Sequence, residues 1–484
     1  MSEKVQWDSY LSFLLAMIGA AVGLGNIWRF SYVLYSNGGG SFFIPYLFAI
    51  AVIGIPFLIL EYGMGFSFKD SFSNVLKKIN PKYEFIGWMV VLLVFFVVIY
   101  YMVILAWDMV YFLNSFTFAW GTDTSSYFIN NVGGSANLLD ATTFIIPTAI
   151  SVIFIWAVLW YISHKDLDEG IGKVSRILIP SLFLLMAIII IYALTLPGHM
   201  IGIDALLRPK WHTLLDINIW LAACGQIVFS LSMGQAIALT YASYLPEKSK
   251  LSDSVLYVVV SNSLFEIFTA FGVFSILGYM SLHTGTALEH IVSEGTGLVF
   301  VVFPMVFNIM GPFGRVLAPL LFLAILFAGI TSALALFEPM LYSTTLKFNL
   351  SRRKATTILS IIGCSLSLFF ATGIGCYLVA VVDSFINQFG VLFLIGLQCI
   401  IFAWIYNIDD LIVVINENGR IKVGKIWKFL VRYVIPIVLF AMWAIGIVDL
   451  FNKATYFEIF IDVIITVTVV ALSFILTKLK PITN

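Results

Sequence analysis

The residues able to do chemistry in this chain sit where water is scarce. Asn26 and Arg29 end the run Gly19-Ala20-Ala21-Val22-Gly23-Leu24-Gly25-Asn26-Ile27-Trp28-Arg29-Phe30, which is otherwise as apolar as a membrane helix. Gln226, Ser230, Ser232 and Gln235 lie in a second such run, Gly225 to Gln235. Asn262 and Glu266 lie in a third, four residues apart and therefore on one helical face. Amide, hydroxyl and carbonyl oxygens are what a hard cation takes as ligands. Polar groups inside a membrane span are costly and mark binding sites or pathways. The plainer reading is that small residues let helices pack closely and that the amides hydrogen-bond across them. Two such interrupted runs, each with polar side chains, favour a binding site.

Other chemistries find no support in the sequence. His164, His199, His212, His283 and His290 fall in or beside expected loops, and no nucleophile–base pair, phosphate loop or metal cluster stands out, so an enzyme is not expected. Cys224, Cys364, Cys376 and Cys399 lie in apolar segments and read as small buried hydrophobes, with no disulfide framework or metal site. Net charge is zero, with no basic tail, which argues against nucleic acid as a partner. No small-residue cleavage site follows Met1-Ser2-Glu3-Lys4, so no removed signal peptide is expected.

The elements that carry these residues follow from composition. The 484 residues are 61% apolar and 11% charged, with a mean hydropathy of +1.03, against about 25% charged in soluble proteins. Long apolar runs rather than short alternating strands exclude a β-barrel and predict an all-α integral membrane protein. A span needs about 20 apolar residues. Twelve are expected, at 9–35, 41–66, 86–113, 142–162, 171–196, 218–244, 254–281, 314–346, 355–371, 374–405, 429–450 and 456–477. If the N-terminus is cytoplasmic, the inner connections hold twenty-one Lys and Arg and the outer loops only Arg208, Lys210 and Lys453, so both termini are expected in the cytoplasm. The outer loop 114–141 is polar and reads as partly mobile. The outer loop 283–312 is apolar enough to dip back over the bundle. The first and sixth spans are both rich in glycine at mid-membrane, where a helix can unwind only if its freed backbone groups meet protein, ions or a water-filled cavity. Interrupted segments at matching places in two halves point to a transporter site.

These residues also carry a resemblance. Ala21 to Phe30, Asn37-Gly38-Gly39-Gly40 and Ile44-Pro45-Tyr46 resemble the signature of the neurotransmitter:sodium symporters. Gly225-Gln226-Ile227, Phe229-Ser230-Leu231-Ser232 and Tyr241-Ala242-Ser243-Tyr244 resemble that family's sixth helix, and Phe327-Ala328-Gly329-Ile330-Thr331-Ser332 its eighth. The resemblance runs in order over nearly the whole chain. It implies a single multi-pass transporter domain over 1–484, with inverted five-helix repeats at 9–196 and 218–405 and two extra helices at 429–477. It implies sodium-coupled import of a small amino acid by alternating access across the plasma membrane. An osmolyte or amino-acid-derivative carrier is the same-fold alternative, and a non-transporting amino-acid sensor the alternative from another class.

Residue by residue, the resemblance implies two sodium sites. The first falls on the Ala21 carbonyl, Asn26, Ser230 and Asn262, completed by the substrate carboxylate. The second falls on the carbonyls of Gly19, Val22 and Ala328 and the hydroxyls of Thr331 and Ser332. The substrate's carboxylate would meet the Leu24 and Gly25 N–H groups and the Tyr101 hydroxyl. Its ammonium would meet the carbonyls of Ala21, Phe229 and Ser230 and the Ser232 side chain. Val97, Tyr101, Phe229, Gln235, Ser332 and Leu336 would line the side-chain pocket, with Gln235 an unusual polar member. Amine-carrying relatives place an Asp at position 23; Gly23 implies a substrate with its own carboxylate. Arg29 and Asp383 would form an outer gate over Tyr101 and Phe229. At the inner gate Lys4 replaces an Arg, Leu346 stands where an Asp is common, and Tyr244 and Glu338 are alternative partners for Lys4 and Trp7. Gly170 and Pro180 have the spacing of the family's breakable fifth helix, although a helix start and an ordinary mid-helix Pro explain them equally well. Glu266 stands where chloride-dependent members carry a Ser, with Tyr46, Gln226 and Ser230 around it. That implies chloride independence, with proton antiport a plausible accompaniment.

Overall fold

The computed structural model describes residues 6–292 and 295–480, so Lys4 lies outside the described residues. Among them the chain is helical, with an isolated antiparallel bridge between Phe144 and Thr372 and no strand. Ten helices are long and apolar enough to cross a bilayer: Gly39–Phe68, Pro81–Asn114, Ile146–Ser163, Asp168–Ala193, Leu251–Thr284, Gly314–Phe348, Arg352–Phe370, Gly375–Ile405, Lys425–Lys453 and Tyr456–Lys478. The pair Tyr10–Ala21 and Leu24–Ser36, bent by 50°, makes a further crossing. The sixth span of the sequence comes as two pieces, Ile217–Ser230 and Ile237–Ser243, each too short to cross alone.

Both interruptions have local causes. At the first, Gly23 is extended (φ −115°, ψ −165°) and its N–H donates to Asn26 Oδ1 at 2.8 Å. The polar side chain that looks misplaced in the sequence thus caps the helix that begins beside it. At the second, Ser232, Gly234 and Ala236 all have positive φ, of 49°, 70° and 61°. A Cβ on Gly234 would stand 2.1 Å from Ile395 Cγ1, so both conformation and space demand glycine there.

Packing around the breaks is dense. The third and eighth spans, Pro81–Asn114 and Gly314–Phe348, are the most enclosed, 83% and 78% buried in their most apolar windows. The last two, at 17% and 22%, form the rim and turn their apolar side chains toward lipid. Gly19 packs on the fifth span, where an added Cβ would meet Ile179 Cδ1 at 2.8 Å. That fifth span holds a π-turn at Asp168–Gly172 and Pro180 within its length. The apolar stretch of loop 283–312 does lie on the bundle: helix Phe303–Met310 is mostly buried, and the Tyr111 hydroxyl donates to the Phe300 carbonyl at 2.7 Å. The Phe128 ring stacks on Phe300, and Trp107 meets both edge-on. Within loop 114–141, the Ser135 N–H donates to the Gly373 carbonyl at 2.6 Å.

Candidate binding site at the helix breaks

A cavity of about 520 Å³ lies between the two breaks. The first break supplies Ala20, Ala21, Gly23, Leu24 and Gly25 to its wall, and the second supplies Phe229, Ser232 and Gln235. The third span adds Val97 and Tyr101, and the eighth adds Ser332 and Leu336. The structure therefore gathers all six residues expected to line the side-chain pocket, and every other expected substrate contact but Ser230. Ser230 does not line the cavity; its hydroxyl accepts from Asn262 Nδ2 at 2.6 Å. The Tyr101 hydroxyl is buried on the cavity wall, facing the Ser332 side chain and the Leu24 backbone. A Cβ on Gly23 would come within 2.9 Å of Ser332 Oγ and 3.5 Å of that hydroxyl, so the missing side chain is part of the cavity's shape.

Beside the cavity runs a chain of buried oxygens and amides. Asn26 Nδ2 donates to Asn262 Oδ1 at 2.7 Å and to Glu266 Oε1 at 3.2 Å. Glu266 also accepts from Gln226 Nε2 at 2.9 Å and, on its other oxygen, from the Tyr46 hydroxyl at 2.6 Å. The carboxylate is fully buried, and these donors compensate its desolvation. On the other side of the first break, Ser332 Oγ donates to the Gly19 carbonyl at 3.0 Å, and Thr331 Oγ1 to the Ala328 carbonyl at 3.0 Å. The two constellations offer carbonyl, hydroxyl and amide oxygens, the donor set of a hard cation. Among the described residues no group of three or more His, Cys, Asp or Glu is placed to hold a metal ion.

Toward one end, the Arg29 guanidinium lies over the Phe229 ring, 4.5 Å from its centroid, and both border the cavity with Asp383. Asp383 accepts from the Tyr100 hydroxyl at 2.6 Å and from Asn387 Nδ2 at 2.8 Å, two partners the sequence did not disclose. Toward the other end, the indole of Trp7 donates to the Tyr241 carbonyl at 2.9 Å and its backbone N–H to the Tyr244 carbonyl at 3.0 Å. The Tyr244 hydroxyl donates to Glu338 Oε1 at 3.0 Å. The sequence offers Glu338 and Tyr244 as alternative partners for Lys4 and Trp7. The structure supplies Arg352, which grips both carboxylate oxygens at 2.7 Å. A buried glutamate needs such a partner, and fourteen residues downstream an arginine opens the next span.

Two further polar residues went unread. Gly234 N–H faces Glu61 Oε2 at 3.5 Å, and the Gly234 carbonyl accepts from Gln398 Nε2 at 3.0 Å. Both side chains are fully buried and hold the second break from opposite sides. The signal was available, since a Glu and a Gln inside apolar spans are expected to have work to do.

Membrane helices broken at a shared cavity, with oxygen-rich clusters beside it, define a secondary transporter. Sequence comparison narrows the class. The family model of the sodium:neurotransmitter symporter family matches residues 4–146 and 124–482. An uncharacterized sodium-dependent transporter of Methanocaldococcus jannaschii is 38% identical over 441 residues, 91% of this chain and 90% of that protein. A sodium-dependent dopamine transporter of Caenorhabditis elegans is 26% identical over 494 residues, 91% of this chain and 80% of that protein. The chain belongs to the sodium:neurotransmitter symporter family and is a sodium-dependent, multi-pass membrane transporter.

Proposed function

We propose that this transporter imports a small α-amino acid with sodium, without chloride, across the plasma membrane. Both termini are then cytoplasmic, and two inverted five-helix repeats, 9–196 and 218–405, rock about the cavity. The observation that carries the amino-acid reading is the wall at Gly23. A helix N-terminus at Leu24 and Gly25 presents N–H groups to an anion, and no acidic side chain stands at position 23 to take an amine alone. The carbonyl end of the first half-helix and Ser232, whose hydroxyl donates to the Ala20 carbonyl at 3.2 Å, suit the ammonium. The substrate carboxylate then completes the first sodium site with Ala21, Asn26, Ser230 and Asn262, and Gly19, Val22, Ala328, Thr331 and Ser332 hold the second ion.

Glu266 supplies the negative charge that an anion would otherwise bring, because it sits in hydrogen-bonding contact with the Asn26–Asn262 cluster. When sodium leaves, the same carboxylate is a buried anion beside amides and a phenol, and a proton from the cytoplasm neutralises it, so proton antiport accompanies import. The test is a scintillation proximity screen of the twenty amino acids with sodium and with potassium. Saturable, sodium-dependent binding of one or a few is expected. Binding of none, or binding as strong without sodium, would contradict the reading, as would a methyl ester or decarboxylated amine that competes as well as the parent amino acid.

A further inference from the structure

A second cavity, of about 350 Å³, lies between the tenth span and the last two, at the end of the bundle that carries Asp383. Asp449, Glu458 and Asp462 line it with Lys453 as the cation beside them, and Tyr377 and Gln388 supply neutral polar groups from the tenth span. Asp462 is the telling residue. It sits within the twelfth span, is 5% exposed, and its Oδ1 is buried with no hydrogen-bond partner among the described residues. Glu458 accepts from the Tyr377 hydroxyl at 3.0 Å and caps its own helix, and Asp449 pairs with Lys453 at 3.2 Å. Asp462 has no such compensation. A carboxylate held inside a membrane span without a partner is expensive, and protonation or a cation from outside the chain relieves that cost.

The chemistry of the cation follows from the arrangement. Three carboxylates against one lysine leave the cavity acidic. No three acidic or imidazole side chains among the described residues are placed to enclose a metal ion, so the charges are spread along the cavity instead of converging on a point. A flexible organic cation with charges at both ends suits that spread, and a zwitterion suits it less, because Lys453, the one cation its carboxylate could meet there, is already paired with Asp449. We infer that the pocket between the tenth, eleventh and twelfth spans is a second ligand site, selective for aliphatic diamines lacking a carboxylate. It is chemically the opposite of the central site, where Gly23 leaves the carboxylate to the substrate. Ala380, Ser384 and Gln388 border both cavities on one stripe of the tenth span, so a diamine seated there rests on the helix that carries Asp383.

The experiment is isothermal titration of the full chain in nanodiscs with 1,5-diaminopentane, in sodium-free choline buffer so that the sodium-dependent central site stays out of the measurement. Saturable binding is expected, at least about tenfold weaker (1.4 kcal/mol) in Asp462→Asn and weaker again when Asp449→Asn is added. The zwitterion 5-aminopentanoate should bind more weakly. Absence of saturable diamine binding to the wild type would overturn the inference. So would equal binding of the zwitterion, or binding that survives Asp462→Asn but is lost in Asp383→Asn, which would seat the amine in the central vestibule. Because Asp462→Asn is nearly isosteric, an unchanged melting temperature establishes that the variant is folded. If it is not, Asp449→Asn alone, on a half-exposed side chain, must weaken binding for the inference to stand.

Discussion

Glu266 shows how much one side chain decides. Its carboxylate receives hydrogen bonds from Asn26, Gln226 and Tyr46, and all of those donors are buried. In Glu266→Ser the donors lose their acceptor, at a cost of about 1–3 kcal/mol for each buried group left unsatisfied. A small anion restores both the acceptor and the charge. The variant should therefore lose roughly ten- to a hundredfold in sodium affinity in gluconate medium. Chloride should recover most of it, and stimulation by an inside-acid pH gradient should disappear. Wild-type uptake in proteoliposomes should be the same in gluconate as in chloride, and a wild type that stops without chloride would refute the assignment. Gln235 decides a different property. It is 6% exposed and its side chain stands on the cavity wall, so it contributes a donor and an acceptor to whatever fills the space. Gln235→Phe should shift preference toward smaller or more apolar amino acids, read from competition profiles. An identical profile would mean that the amide does not touch the substrate.

The broken helices are held open by their neighbours as much as by their own sequence. Gly234 carries a positive φ of 70° and lies against Ile395 on the tenth span. Gly234→Ala adds a strained φ and an overlap, together worth about 1–3 kcal/mol. The melting temperature of the detergent-solubilised protein should fall, and Gly234→Ala/Ile395→Ala should regain the steric part and leave the conformational part. A melting temperature unmoved in the single variant would show that the break is not pinned at this contact. How far such elements are legible in the sequence depends on where their causes lie. The first break was readable because its own residues, Gly19, Gly23, Gly25 and Asn26, are poor choices for a membrane helix and good ones for a cap. The span boundaries were readable because bilayer thickness fixes length. The grip of Glu61 and Gln398 on the second break was not, since it needs the second and tenth spans to be laid beside the sixth. Partner choice among buried charges is likewise tertiary, which is why Arg352 escaped and Lys4 drew notice.

At the scale of the molecule, what matters is which end of the bundle is shut. The cavity wall continues past Arg29 and Asp383 to Thr296 and Gln388 at one end. At the other end, the buried Trp7, Tyr241, Tyr244 and Glu338 and the part-buried Arg352 form one hydrogen-bonded plug below the breaks. The plug joins four elements: the stretch before the first half-helix, the second half of the sixth span, the eighth span and the start of the ninth. Alternating access requires these to part, so their bonds set the bias between states. Breaking a buried ion pair by removing one partner costs about 3–5 kcal/mol, because the other charge stays behind without compensation. In Glu338→Gln the guanidinium of Arg352 keeps only neutral acceptors, the carbonyls of Ser163 and Lys165 at 2.9 and 2.8 Å among them. Release of the plug, which hydrates that guanidinium, becomes favourable by a comparable amount. A gain near 3 kcal/mol shifts the equilibrium between closed and open plug by roughly a hundredfold. Hydrogen–deuterium exchange should then quicken at the Trp7 amide, whose acceptor is the Tyr244 carbonyl, and along the first half-helix Tyr10–Ala21, while the rim helices exchange as before. Arg352→Met should quicken the same amides at least as much, since the fully buried Glu338 carboxylate keeps only the Tyr244 hydroxyl as a donor. Double replacement, Glu338→Gln with Arg352→Met, removes both charges and should slow exchange relative to either single variant. Exchange at Trp7 that ignores all three variants would place the lock elsewhere than in the Glu338–Arg352 pair.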